Sequence, residues 1–181
     1  MSGLARAIGA LIKLKTDIPT FGDESANREK KYPFIEVQVV AEEEMPVGPG
    51  RNSHYTKNSS GAYNGAVKRM IGEARVQLTV KADQTTTESS LTVCKKIVDD
   101  LRKLFREVKY GREVVSFVDP KTNENQGVFR LNVGEAATPR LDIAGEPINH
   151  EGTLDLQITR RILRTETVLT TINHVANDHG A

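Results

Sequence analysis

Hydrophobic and polar residues alternate strictly through GEARVQLTVKAD. Ala74, Val76, Leu78 and Val80 fall on one side, and Arg75, Gln77, Thr79 and Lys81 on the other. A period of two belongs to a strand with one buried face and one face turned to water or a partner. The period then lengthens. Leu91, Cys94, Ile97, Val98, Leu101, Leu104, Phe105 and Val108 recur at steps of three and four, which predicts an amphipathic helix wide enough to cover a sheet. Between the two patterns lies QTTTESS, where Thr85-x-x-Glu88 has the form of a capping box. Lys95, Lys96, Arg102, Lys103 and Arg106 take the polar side and crowd toward the C-terminal end, where the helix dipole favours cations. Gly111 predicts the helix end.

The remaining segments supply further strands. Ser2 can cap a short helix in which Leu4, Ile8, Leu11 and Ile12 share a face, with Lys13 and Lys15 at its end and Pro19 stopping it. FGDESANREKK is charged and without period, so an exposed loop is expected. Tyr32-Pro33 introduces FIEVQVV, a strand with Ile35, Val37 and Val39 on one face. Beyond the long helix, EVVSFV and VFRLNV predict a hairpin around Asp119-Pro120. GEAATPRLDIAGEPINHEG, with two prolines and three glycines, reads as irregular. TLDLQITRRIL alternates Leu154, Leu156 and Ile158 against Asp155, Gln157 and Thr159, as a last strand. In the tail, residues 165–181, Val168, Leu169, Ile172 and Val175 have helix-like spacing. The threonines beside them leave a flexible or partner-docked arm equally open.

Residues 41–71 satisfy neither period. After Glu42, Glu43 and Glu44, the stretch from Met45 to Ile71 holds no acid, yet it carries Arg51, Lys57, Lys68 and Arg69 among Gly, Pro, Ser and Asn. It joins two neighbouring strands, so a long hairpin arm projecting from the sheet is expected, ordered by a neighbour's surface rather than by its own core. Tyr55 and Tyr63 are interleaved with its cations. Stacking of nucleic-acid bases would use such residues, and so would a protein interface, which is the reading adopted.

Composition narrows the field. A chain of 181 residues suits a single domain, and 25 Lys and Arg balance 24 Asp and Glu. No global charge argument for nucleic acid or a membrane surface follows. A single cysteine excludes an internal disulfide, and Cys94 lies on the apolar helix stripe, where it reads as a small buried hydrophobe. LARAIGALIKLK is too short and too amphipathic for a signal peptide, and no run approaches a membrane span.

A search for chemistry assigns no catalytic, cofactor-binding or metal-binding residue. His54, His150, His174 and His179 lack ligand spacing, and Gly48, Gly50 and Gly61 follow no strand-to-helix turn. Glu42 to Glu44 read as a solvated strand end. Arg160 and Arg161, with Arg164, read as a solvated or intersubunit ion pair rather than a phosphate site. The candidate interface is therefore Arg51, His54, Tyr55, Lys57, Tyr63, Lys68, Arg69, Arg160 and Arg161. A rival site would group His150, Glu151 and the acidic strand end around a small ligand or substrate.

The order of these elements, with YPFIEV opening one strand and GEARVQLTVKAD preceding the helix, resembles the tail terminator and tail-completion proteins of long-tailed bacteriophages over roughly Leu4 to Leu163. The resemblance implies an α+β domain with a mixed, mainly antiparallel sheet. One face would be covered by a long helix and a short N-terminal helix. It also implies a structural virion role without catalysis: a homohexameric ring at the head-proximal end of the tail. The ring would end tube growth and meet the tail tube protein and the neck or head–tail connector, with DNA in transient passage through its lumen. Assembly would take place in the host cytoplasm, without membrane partners. A head–tail adaptor or a tube subunit is the neighbouring alternative, and a small cytosolic enzyme or ligand-binding protein a more distant one. Independently, an open sheet has exposed edges, which head-to-tail packing in a closed ring would remove.

Overall fold

The computed structural model describes residues 2–22, 31–47, 54–61, 63–83, 88–109, 117–142 and 149–167. The first helix, α1 (Gly3–Thr16), starts where expected: Ser2 is extended, and its hydroxyl accepts from the Ala5 amide at 3.2 Å. It ends at Asp17, which adopts the left-handed conformation (φ 57°) and donates its N–H to the Lys13 carbonyl. Strand β1 (Thr20–Phe21) runs parallel to β2 (Phe34–Pro46), and Thr20 Oγ1 donates to the Gly9 carbonyl at 3.2 Å. β3 (His54–Lys57) and β4 (Tyr63–Asp83) follow, then helix α2 (Ser90–Lys109), β5 (Val128–Ala136), β6 (Arg140–Asp142) and β7 (Asn149–Thr167).

The fold is α+β, and among the described residues a mixed sheet of seven strands has β1-β2-β4-β7-β5 as successive neighbours, while β3 pairs with β4 and β6 with β7. β5 and β6 both run antiparallel to β7. The chain divides into two compact units, Met1–Met45 with Ile71–Ile162, and Pro46–Met70 with Leu163–Ala181.

The first unit holds the core. Ala74, Val76, Leu78, Val80 and Ala82 of β4 are buried together with Leu154, Leu156 and Ile158 of β7 and Leu131 of β5. Against them pack Leu4, Ile8, Leu11 and Ile12 of α1 and Cys94, Ile97, Val98, Leu101 and Phe105 of α2. Both helices thus join one cluster with one face of the sheet, and each fully buried Leu, Ile or Phe stabilises it by about 1.5–3 kcal/mol relative to exposure. α2 seats closely: a Cβ on Gly152 would meet Cys94 Sγ and Val98 Cγ2 at 2.9 Å.

Several expectations are corrected. α2 is capped by Ser89, whose carbonyl accepts from Val93 (3.1 Å) and whose hydroxyl accepts from the Thr92 amide (3.3 Å). The cap therefore falls after the Thr85-x-x-Glu88 box, and Thr85 lies outside the described residues, as does Gly111. Of the hairpin expected around Asp119-Pro120, the described part has an antiparallel Val118–Asn125 bridge with the Gln126 amide donating to the Phe117 carbonyl at 2.8 Å, and VFRLNV lies in β5, beside β7. The other half of that hairpin, 113–116, lies outside the described residues. Phe21 belongs to β1, and part of the irregular excursion after Gly134 forms the end of β5 and the whole of β6. The segment 41–71 is not structureless: Glu42–Pro46 continue β2, His54–Lys57 form β3, and Tyr63–Ile71 begin β4. The backbone of these described strands finds strand partners although the side chains carry no sustained apolar alternation. Tail residues 165–167 continue β7, and 168–181 lie outside the described residues.

Candidate functional site

In the second unit, β3 and β4 form an antiparallel ladder in which His54, Tyr55, Thr56 and Lys57 face Val67, Ala66, Gly65 and Tyr63, with a register shift between Thr56 and Lys57. The turn between them is tied by Asn58, whose Oδ1 accepts from the Ser60 amide (3.1 Å) and hydroxyl (2.7 Å). Gly61 completes it at φ 82°, which a side chain rarely tolerates. The Val47 amide donates to the Arg69 carbonyl at 3.0 Å. Of the predicted interface residues, Lys57 and Arg69 are exposed and Lys68 is half-buried. His54, Tyr55 and Tyr63 are placed by the strand ladder, and Arg51 lies outside the described residues. Sequence reading missed β3 because its alternation signals no core. The available signal was Tyr-Thr followed by the Asn-Ser-Ser-Gly turn.

The predicted pair Arg160 and Arg161 belongs to the first unit, on β7, and the two side chains do different things. Arg160 reaches Glu42 on β2 through Nη2 and Gln126 Oε1 through Nη1, the latter at 3.1 Å. β4 lies between those two strands, and Arg160 crosses it at Gly72. A Cβ there would sit 3.2 Å from Arg160 Cγ and 2.7 Å from Ile162 Cδ1. Burial pulls the Arg160 guanidinium below its ordinary pKa, and its Nε is buried with no hydrogen-bond partner. Arg160 is thus committed within its own chain, against the expectation of a solvated or intersubunit pair. Arg161 instead places its guanidinium 5.2 Å from the centre of the half-exposed Phe129 ring, a cation–π contact.

The sheet face away from the helices is polar. Asp155 binds Arg75 (2.6 Å) and Gln77 (3.2 Å) across the β4–β7 boundary. Beside them a concavity of about 460 Å³ is lined by Glu43, Glu73, Arg75, Arg130, Asn132 and Gln157, among others.

The residues of the rival site are engaged separately. His150 Nδ1 lies 2.7 Å from the buried Ser90 hydroxyl at the start of α2. Glu151 pairs with Lys81 at 3.4 Å, and Glu42 with Arg160. Next to His150, Asn149 donates to the Tyr32 hydroxyl at 2.7 Å. These contacts fasten the start of α2 and of β7 to their surroundings. Burial, with the Glu151 carboxylate adding to it, pushes the Cys94 thiol up to about 11, so it is a packed group and a poor nucleophile.

Among the described residues, no group of three or more His, Cys, Asp or Glu is arranged to hold a metal ion. No described helix is long and apolar enough to cross a membrane. No protein-family model matches the chain, and no curated protein matches it. The described surface offers strand backbone, mixed charge and half-exposed apolar side chains.

Proposed function

We propose that this chain is a structural virion protein, a ring subunit at the head-proximal end of a long phage tail. In this reading six copies close a ring that stops growth of the tail tube and offers a surface to the neck or head–tail connector. The order of helices and strands supports it through the resemblance already stated. One observation carries it. Among the described residues of 46–70 and 163–167, Ala66 and Val67 are the only buried apolar side chains, they lie outside the main hydrophobic cluster, and Val47 and Leu163 stand exposed. Extended structure with so little core of its own needs a neighbouring surface to offset the entropy of ordering it, at about 1–2 kcal/mol per residue of backbone. Partners on this reading are other copies, the tail tube protein and the connector, with DNA passing through the lumen, and assembly occurs in the host cytoplasm.

The test adds purified protein to growing tail tubes and images them by negative stain. The expected result is a six-fold cap at one end with bare tube walls, and loss of capping when Pro49 to Ala66 are deleted while the domain stays folded. Self-assembly into long tubes would assign a tube subunit instead. Binding to the connector without any effect on tube length would assign an adaptor. Decoration of tube walls, or hydrolysis of a substrate, would overturn the structural-ring reading.

A further inference from the structure

We propose that the concavity on the polar face of the sheet docks an extended segment of a partner protein, one that carries a basic and an acidic residue four positions apart. The inference does not rest on the ring reading. All ten lining residues are described and belong to the first unit. They come from β2, β4, β7 and β5, which are successive neighbours in the sheet. On β7 and β5 the lining side chains stand in register, Thr159 opposite Arg130 and Gln157 opposite Asn132. The concavity holds about 460 Å³, and only three of its ten lining residues are apolar. Small-molecule pockets of that size are lined mainly by apolar and aromatic side chains, so this one suits a polar chain instead.

Charge changes sign from one side of the concavity to the other. Arg75 is matched by Asp155 at 2.6 Å, so its charge is balanced inside the sheet. The other charges of the lining are Glu43 on β2 and Glu73 on β4, at one side, and Arg130 on β5, at the other; all three are exposed. Two strand intervals separate β4 from β5, and three separate β2 from β5. At about 4.8 Å per interval, the acidic and basic sides stand roughly 10–14 Å apart. An extended chain rises about 3.3 Å per residue and returns to the same face every second residue. Side chains four positions apart therefore point the same way at a spacing of about 13 Å. A Lys or Arg of the segment meets Glu43 and Glu73 while an Asp or Glu meets Arg130. Between the two sides, Gln157 and Asn132 each offer an amide that can both donate to and accept from a crossing peptide group.

The experiment titrates the full, isotope-labelled chain with short peptides blocked at both ends and follows the side-chain amide signals of Asn132 and Gln157 by NMR. The probe Lys-Thr-Ser-Thr-Glu should move both signals saturably, and bind more tightly than Lys-Thr-Ser-Thr-Lys or Glu-Thr-Ser-Thr-Glu. Arg130→Glu should weaken the mixed probe by roughly threefold or more and transfer the preference to the dibasic one. Glu43→Lys combined with Glu73→Lys should transfer it to the diacidic one. Signals that stay still, equal binding of the three probes, or variants that leave the preference unchanged would each overturn the proposal. Equal shifts with free lysine and free glutamate would overturn it too, assigning the concavity to small charged molecules. So would tighter probe binding once residues 168–181 are removed, which would assign it to this chain's own end. A protein that caps tubes yet ignores the probes keeps the ring reading and loses this one.

Discussion

Arg6 of α1 closes on Asp119 with a two-pronged grip, Nε to Oδ1 at 2.8 Å and Nη2 to Oδ2 at 2.5 Å. Asp119 is buried and also accepts from the Lys121 amide (2.9 Å) and the Thr122 hydroxyl (3.2 Å), so one carboxylate holds both the helix and its own turn. The Arg6 hydrogen bonds, with those of Lys121 and Thr122, hold this carboxyl well below the usual carboxylate range although burial pushes the other way.

A pH dependence follows. The folded-state pKa is depressed, so the contribution of Asp119 is complete above the ordinary Asp value of about 4 and is lost as pH falls toward the folded value. Thermal melts between about pH 5 and pH 2 should therefore show a falling midpoint in the parent. Asp119→Asn should start lower at neutral pH and fall less steeply, having no such proton to take up. Parallel slopes would contradict this.

The helix phase is tested by a pair of truncations. Leu101 is fully buried and Lys103 is exposed, with a 3.8 Å pair to Asp100. Leu101→Ala should cost about 2–5 kcal/mol in chemical denaturation, and Lys103→Ala less than about 0.5 kcal/mol.

Close packing at Gly152 predicts coupling. Gly152→Ala drives a methyl against Cys94 Sγ and Val98 Cγ2 and should cost about 1–3 kcal/mol. Adding Cys94→Ala should recover part of that loss, so the double variant will be more stable than the sum of the two singles. In the native parent, a thiol reagent should label Cys94 only as fast as the protein opens, because the group is buried and its pKa is raised to about 11.

Gly72 gives a graded series. The first atoms its Cβ would meet are the ends or middles of the Ile162 and Arg160 side chains, which can shift. Gly72→Ala should therefore be mild, and Gly72→Val, which blocks the path of Arg160 to Glu42, should cost about 1–3 kcal/mol. Equal midpoints in denaturation for these two variants would show that the crossing does not depend on a bare backbone.

Where a segment packs on the core, its period announced it. The alternation of β4 from Ala74 to Val80, the stripe of α2 and the triplet Leu154, Leu156 and Ile158 all face the cluster as read. Where backbone pairing makes the element, nothing announced it: β3, β6, the continuation of β2 through Pro46 and the first residues of β4 hold scattered apolar side chains such as Met45, Val67 and Leu141 but no sustained alternation. The commitment of Arg160 to Glu42 was equally hidden, because it depends on residues 118 positions apart and on a missing side chain between them. Ser89 is itself a good capping residue type, but the Thr85–Glu88 box ahead of it matches the stronger sequence pattern.

The strand order has a further consequence, for the chain as it is made. β7 is the last described strand to leave the ribosome, yet it lies between β4 and β5. Until it emerges, β4 lacks one neighbour and β5 lacks its described one, and Leu131 and the inward face of β4 have an incomplete cover. The nascent chain thus carries unsatisfied strands through most of its synthesis, and the sheet is completed by inserting its centre last. Such long-range closure is slow compared with the folding of local helices. A cell making many copies at once would then meet a kinetic choice between internal insertion of β7 and pairing with another nascent chain, with holding chaperones favouring the first.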